Sequence, residues 1–184
     1  MNRRRPFVCP SVACGVLSFT LANSAHAAPQ WNTGLVASGC LLGDRDAVFE
    51  RVGFCGQARG DILFLRNRVS DFGLGPYLAV GTAAFDDLRV SLGASALVPM
   101  IDDFPLVVSL GALGRESGDM GLSSSLFWGM RSYNFHSGYN LAFGFSLAGE
   151  RTFGSQPSSA FSLGFQVDGF VLALPFLLLV GALQ

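Results

Sequence analysis

Residues 88–98 read Leu88-Arg89-Val90-Ser91-Leu92-Gly93-Ala94-Ser95-Ala96-Leu97-Val98. Even positions are all apolar, and odd positions are small or polar up to Leu97. A period of two sustained over eleven residues describes a strand with one apolar face, not a helix. The stretch before it behaves in the same way. Phe72, Leu74, Pro76, Leu78, Val80, Thr82 and Ala84 alternate with Gly73, Gly75, Tyr77, Ala79, Gly81 and Ala83.

The alternation extends downstream through Phe104–Leu113, Leu122–Arg131 (less cleanly), Tyr139–Ala148 and Phe161–Asp168. Six segments thus have about the ~10 residues a tilted strand needs to cross a bilayer. Two weaker ones, Trp31–Cys40 and Gln57–Arg66, bring the count to eight. Apolar strands facing lipid cannot leave an open sheet edge, so the fold class expected is all-β, an antiparallel up-and-down transmembrane β-barrel of eight strands.

Composition agrees. Half of the 184 residues are hydrophobic, only 14% are charged, and 23 are Gly. Mean hydropathy is +0.44, yet nearly every apolar run is shorter than the ~20 residues of a spanning helix. Residues 170–183, apolar on both faces with Pro175 inside, are the exception to the alternation. They either prolong the last strand or close the barrel in place of a weak earlier one.

The start of the chain reads as a secretory leader. Arg3, Arg4 and Arg5 precede an apolar stretch to about Ala22, and Ala25-His26-Ala27 offers a small-residue cleavage site. The expected organisation is a signal peptide over 1–27 and a barrel domain over 28–184. Anchoring through Cys14 would leave too little apolar sequence ahead of the cysteine. Three of the 12 basic residues and none of the 13 acidic ones lie in 1–27, leaving 9 against 13, a formal charge of −4. Every basic residue is Arg. No basic footprint for nucleic acid remains.

Cleavage removes Cys9 and Cys14 and leaves Cys40 and Cys55. In an exported chain such a pair reads as a disulfide in preference to a metal or redox site, with two free thiols as the alternative. With both termini periplasmic, residues 41–56 become a charged first outer loop stapled at its base. Residues 67–71 and 99–103 become short turns, Asp86-Asp87 a tight outer turn, and 114–119 and 150–159 outer loops. Trp31, Phe72, Phe85, Phe104, Trp128, Phe135, Tyr139, Phe153 and Phe161 fall near strand ends, where interfacial girdles sit.

The leader ending Ala25-His26-Ala27, the alternating blocks 72–98 and 139–168 and the Gly-rich inner positions resemble the small outer-membrane β-barrel families, the OmpA-, OmpX- and OmpW-like proteins. The resemblance covers nearly all of residues 31–183 and is one of pattern. It implies a bacterial outer-membrane location, contact with outer-membrane lipid and insertion by the outer-membrane assembly machinery. Such families usually end on an aromatic residue; here the last residues are Ala182-Leu183-Gln184.

Chemistry is sparse. His136 is the histidine that survives cleavage, adjacent to Ser137. Lipid A deacylases, which are barrel enzymes with a His and a Ser separated by one residue, offer a faint parallel. Adjacent side chains diverge on a strand, and the segment reads as a turn. No metal set, phosphate loop or dinucleotide fingerprint is present, so no cofactor is expected. The alternation instead points Arg89, Arg131, Gln166 and Asp168 into the lumen. An inward charge in a narrow barrel must be paired or solvated. The four form either a structural plug or the lining of a narrow pore.

Three functions stay open. One is a structural or surface-interaction barrel with a filled lumen and no chemistry. Another is a small pore or carrier for apolar compounds, with space left by Tyr77 and the row Gly73, Gly75, Gly81. The third is a lipid-modifying enzyme at His136. A soluble periplasmic lipid binder would instead require polar outer faces.

Overall fold

The computed structural model describes residues 29–44, 49–68, 70–101, 104–131 and 142–169. The leader at 1–27, the His136–Ser137 pair, Phe135, Tyr139 and the apolar run 170–183 lie outside the described residues.

Eight strands follow one another: β1 (Gln30–Asp44), β2 (Arg51–Leu63), β3 (Gly73–Ala83), β4 (Asp87–Ile101), β5 (Phe104–Arg115), β6 (Met120–Arg131), β7 (Ala142–Phe153) and β8 (Ser158–Asp168). Each pairs antiparallel with its neighbour in sequence, and β1 pairs with β8 from Gly34–Asp168 to Asp44–Ser158, closing the barrel. The fold is the up-and-down transmembrane β-barrel that the alternation describes.

Alternation decides inside and outside. In β4, Arg89, Ser91, Ser95 and Leu97 are buried while Leu88, Val90, Leu92 and Val98 are exposed. Nearly all the exposed large apolar side chains of the strands share that outer face, including Leu35, Leu78, Leu92, Leu110, Leu126, Phe145 and Leu163. A water-facing sheet would carry polar residues there. At the terminal end, where β1 begins and β8 finishes, Trp31, Phe72, Phe104 and Trp128 are exposed. At the opposite, hairpin end stand Phe49, Phe54, Phe85, Phe153 and Phe161, with Phe54 stacked on Phe85 at 5.6 Å.

Element boundaries correct several sequence-based expectations. Residues 41–56 are not a long outer loop: β1 runs to Asp44 and β2 begins at Arg51. Leu41–Val52 and Leu42–Arg51 continue the ladder, because pairing rewards extension even where charge density is high. The cysteines therefore do not staple a loop base. Cys40 and Cys55 are bonded across β1 and β2 with Cα atoms 5.9 Å apart, and Cys40 is buried inside the barrel.

The expected turn at Asp86-Asp87 lies one to two residues earlier. Ala84 and Phe85 take positive φ, 53° and 64°, while Asp87 already pairs with Ala83. The predicted loop 150–159 shrinks to 154–157, and 114–119 to 116–119, since β5, β7 and β8 all extend to that rim. The connection after β2 is longer than the predicted 67–71, running over 64–72. There Asp71 accepts the N–H groups of Asn67 and Arg68 at 2.9 and 2.8 Å. Those two bonds hold its carboxyl below the ordinary value.

Depth should govern what the exterior tolerates. Leu92→Arg, near mid-height, is expected to lower folding stability in bilayers by about 2–4 kcal/mol, and Leu88→Arg, near the hairpin rim, by about 0–1 kcal/mol. Urea titration of refolded protein in lipid vesicles checks this, and equal losses would contradict the membrane-spanning placement.

Candidate functional site: the filled lumen and its charged mouth

The middle of the lumen is built around a residue that the alternation alone does not single out. Arg59, 8% exposed, projects inward from β2. Its Nη1 donates to Ser125 Oγ at 2.6 Å and its Nη2 to Ser95 Oγ at 2.7 Å and to Ser109 Oγ. Ser95 and Ser109 also share a hydrogen bond at 2.9 Å. The guanidinium lies 4.5 Å from the centre of the Tyr77 ring, a cation–π contact. Tyr77 in turn meets Ser123 Oγ through its hydroxyl at 2.8 Å. One guanidinium thus ties β2 to β4, β5 and β6 across the interior.

Glycine makes room for this layer. A Cβ on Gly111 would come within 2.5 Å of both the Tyr77 hydroxyl and Leu92 O. On Gly75 and Gly81, the nearest atom would be a backbone carbonyl of β2, at 1.8 and 2.7 Å. In the row expected, with Tyr77, to leave space in the lumen, Gly75 and Gly81 instead accommodate close strand approach and Gly73 lies against the Arg66 side chain, while Tyr77 itself is buried at 4% exposure.

Towards the terminal end, Asp61 lies between two cations. Its Oδ2 is 3.5 Å from Arg59 Nε and accepts a hydrogen bond from Arg131 Nη2, which also donates to Asn32 Oδ1 at 3.0 Å. Arg131 lies 5.1 Å from the Phe127 ring centre. Phe127 belongs to an inward apolar cluster with Leu63, Leu97 and Val107. Towards the hairpin end, Arg89 pairs with Asp87 at 2.8 Å and Glu150 at 2.7 Å, and Arg115 joins Asp87 at 2.9 Å. Arg89 and Arg115 stand directly opposite in the β4–β5 register, so the shared Asp87 relieves their repulsion.

Of the residues expected to face the lumen, Arg89, Arg131, Gln166 and Asp168 are all buried. They fall in two groups. Arg89 belongs to the mouth, whereas Arg131, Gln166 and Asp168 lie in the terminal half, where β6 ends at Arg131 and β8 at Asp168; Gln166 lies over Gly34, whose added Cβ would meet its side chain at 2.6 Å. Sequence reasoning missed Arg59, Asp61 and the four serines. A signal existed in Arg59 and Asp61, opposite charges two residues apart on one face of a strand. The weak alternation of β2 hid that face.

Above the Arg59 layer lies a pocket of about 40 Å³ bordered by Ser38, Thr82, Ser146 and Ser162. Arg89 and Ala83 border both this pocket and an open bowl of about 670 Å³ at the hairpin end. Asp44, Arg51, Asp86, Asp87, Arg115 and Glu116 give that bowl both signs of charge. Its rim is held by Asp119, which accepts the Ser155 N–H at 2.9 Å, the Ser155 hydroxyl at 3.1 Å and the Gln156 N–H at 3.2 Å. Burial opposes ionisation of Asp119, but these donors and the Ser117 hydroxyl outweigh it and lower its pKa. Among the described residues no group of acidic, His or Cys side chains could hold a metal ion.

Fold and interior together define a class: small closed transmembrane barrels with side-chain-filled lumens. No protein-family model matches this sequence, and no curated protein does. Among solved structures, it is similar to the attachment invasion locus protein Ail of Yersinia pestis, solved in complex with the heparin analogue sucrose octasulfate. Identity is 10%, over 76% of this chain and 98% of Ail, with a TM-score of 0.44. Ail in a phospholipid bilayer nanodisc gives 10% identity over 74% and 98%, with a TM-score of 0.42. A de novo designed transmembrane β-barrel gives 11% identity over 73% and 94%, with a TM-score of 0.38.

Two outcomes follow from the charges. Asp61→Asn should destabilise the barrel by about 3–5 kcal/mol, because two buried guanidinium groups lose their shared carboxylate, and adding Arg131→Met should recover part of the loss. Urea unfolding of the three proteins measures this. For Asp119, a lowered folded pKa means its contribution is fully present above the ordinary carboxyl value of about 3.9 and is lost as pH falls through the folded value. Protection of the Ser155 and Gln156 amides against hydrogen exchange, relative to the intrinsic rate at each pH, should persist in the wild type until the pH falls below the ordinary carboxyl value of about 3.9, and be reduced already at neutral pH in Asp119→Asn.

Proposed function

We propose that the protein is a bacterial outer-membrane barrel with a structural or surface-interaction role, delivered by the leader at 1–27 and closed to solute flow. The observation that carries this reading is Arg59 braced by Ser95, Ser109 and Ser125 against Tyr77 at mid-height. Eight-stranded barrels have interiors just wide enough for side chains to fill. The lumen residues Arg89, Arg131, Gln166 and Asp168 act in this reading as part of a plug. A carrier of apolar compounds would need a continuous apolar path, and a guanidinium among hydroxyls disfavours one.

The surface role rests on the mouth. Its connections are short, 45–50, 84–86, 116–119 and 154–157, so the bowl itself is the exposed feature at that end. Mixed charge around a concave opening suits a polar partner. Outer-membrane lipid surrounds the apolar exterior, and the assembly machinery inserts the barrel. The reading includes no chemical step.

Planar-bilayer recording tests the closed state. The wild type should show no conductance or only minute events, whereas Arg59→Ala combined with Tyr77→Ala should produce discrete open steps. Large, stable steps from the wild type would refute the plug.

A further inference from the structure

Among the described residues, the lipid-facing wall carries one charged side chain. Inside β7, Glu150 reaches Arg89 in the lumen and Thr152 is fully buried, so Arg151 between them faces outward. Among the described strands, Arg151 is the one charged side chain at an outward position. Its strand neighbours in register are Leu122 on β6 and Ser159 on β8, and its Nη1 donates to the Ser159 hydroxyl. Nearby, Ser124 donates to Gly149 O at 3.2 Å.

Arg151 also borders a depression of about 710 Å³ in the outer wall. The floor is low because Gly149 has no side chain. The walls are mainly apolar, formed by Leu110, Leu122, Phe161 and Phe49, with the Phe49 and Phe161 rings 6.5 Å apart, edge to face; Ser124 and Ser159 add hydroxyls, and Glu150 borders the depression with its carboxylate turned to Arg89 in the lumen. Arg151 lies two residues from the hairpin end of β7, about 7 Å along the strand at ~3.3 Å per residue. That depth matches the boundary between acyl chains and headgroups, where an arginine can reach the polar layer.

We infer that this groove is a lateral site for a phosphate-bearing membrane lipid, with the phosphate on Arg151 and an acyl chain along the Gly149 channel. A guanidinium matches phosphate oxygens with paired donors. A positive charge with no acidic partner among the described residues, on a mainly apolar wall, selects an anionic headgroup over a zwitterionic one. Apolar walls on both sides of the channel fit a hydrocarbon chain better than any water-borne ligand. The site is separate from the lumen and the mouth, and it rests on the membrane-spanning reading above.

The test uses full-length protein in nanodiscs of equimolar phosphatidylglycerol and phosphatidylcholine with matched chains, and native mass spectrometry counts the retained lipids. The wild type should retain phosphatidylglycerol over phosphatidylcholine by about fivefold, the shift one arginine supplies at an anionic surface. Arg151→Gln should bring the ratio close to one, Arg151→Lys should keep most of the preference, and Gly149→Leu should reduce retention of both lipids. Heat-dependent gel migration verifies that each variant is folded. Should Arg151→Gln not fold, Ser159→Glu, which places a carboxylate beside Arg151, should abolish the preference instead. A wild-type ratio of one, or a preference that survives loss or neutralisation of the Arg151 charge, overturns the site. Failure of the wild type to insert into nanodiscs would sink the membrane reading itself, a distinct result.

Discussion

Closure of the sheet between β1 and β8 governs the other features of this molecule. In hydrocarbon, an unpaired backbone N–H or C=O has no solvent to turn to, and each costs several kcal/mol. The ladder from Gly34–Asp168 to Asp44–Ser158 leaves neither strand with an open edge along that length. Once the ring is closed at eight strands, its bore is set, and every inward side chain must share a narrow space with seven other strands. Apolar residues outside and small or polar residues inside follow from that geometry.

The bore then imposes an accounting on charge. Arg59 cannot be left bare at mid-height, and its surroundings combine three hydroxyls, an aromatic face and a carboxylate. Asp61 serves Arg59 and Arg131, and Asp87 serves Arg89 and Arg115, so a shared carboxylate bridges two cations in each half of the barrel, with Glu150 as a further partner of Arg89. Sharing of this kind couples strands that are not neighbours in the sheet. It makes the interior a set of cross-struts, with the apolar cluster of Leu63, Leu97, Val107 and Phe127 packed beside the charged groups of the terminal half.

Against that interior, the exterior is chemically plain, which gives Arg151 its meaning. A cation in the lumen is one of many and is answered by acids. Among the described residues, the cation on the outer wall has Ser159 to answer it, and beyond that the surrounding membrane. Its position close to the hairpin rim and beside the Gly149 depression turns an isolated charge into a shaped site. Lumen and wall thus handle arginine in opposite ways, by internal pairing in one case and by the membrane in the other.

Alternation in residues 72–98 was enough to establish strands, their inner and outer faces and the need for closure, because a period of two is a property of the chain itself. The inward direction of Arg89, Arg131, Gln166 and Asp168 was legible for the same reason. The lengths of β1 and β2 were not, since only pairing with one another carries them through the charged stretch to Asp44 and Arg51. Nor was the separation of Arg89 from Arg131: parity gives a face, but height along the bore depends on strand register. Register likewise brings Arg59 to Ser95, Ser109 and Ser125, residues 36 to 66 positions away in the chain. The sequence by itself determined a closed barrel with an apolar coat. Tertiary structure alone decided which charges meet inside it and that Arg151 borders a groove outside, because contacts across a barrel are made by neighbouring strands and not by neighbouring residues.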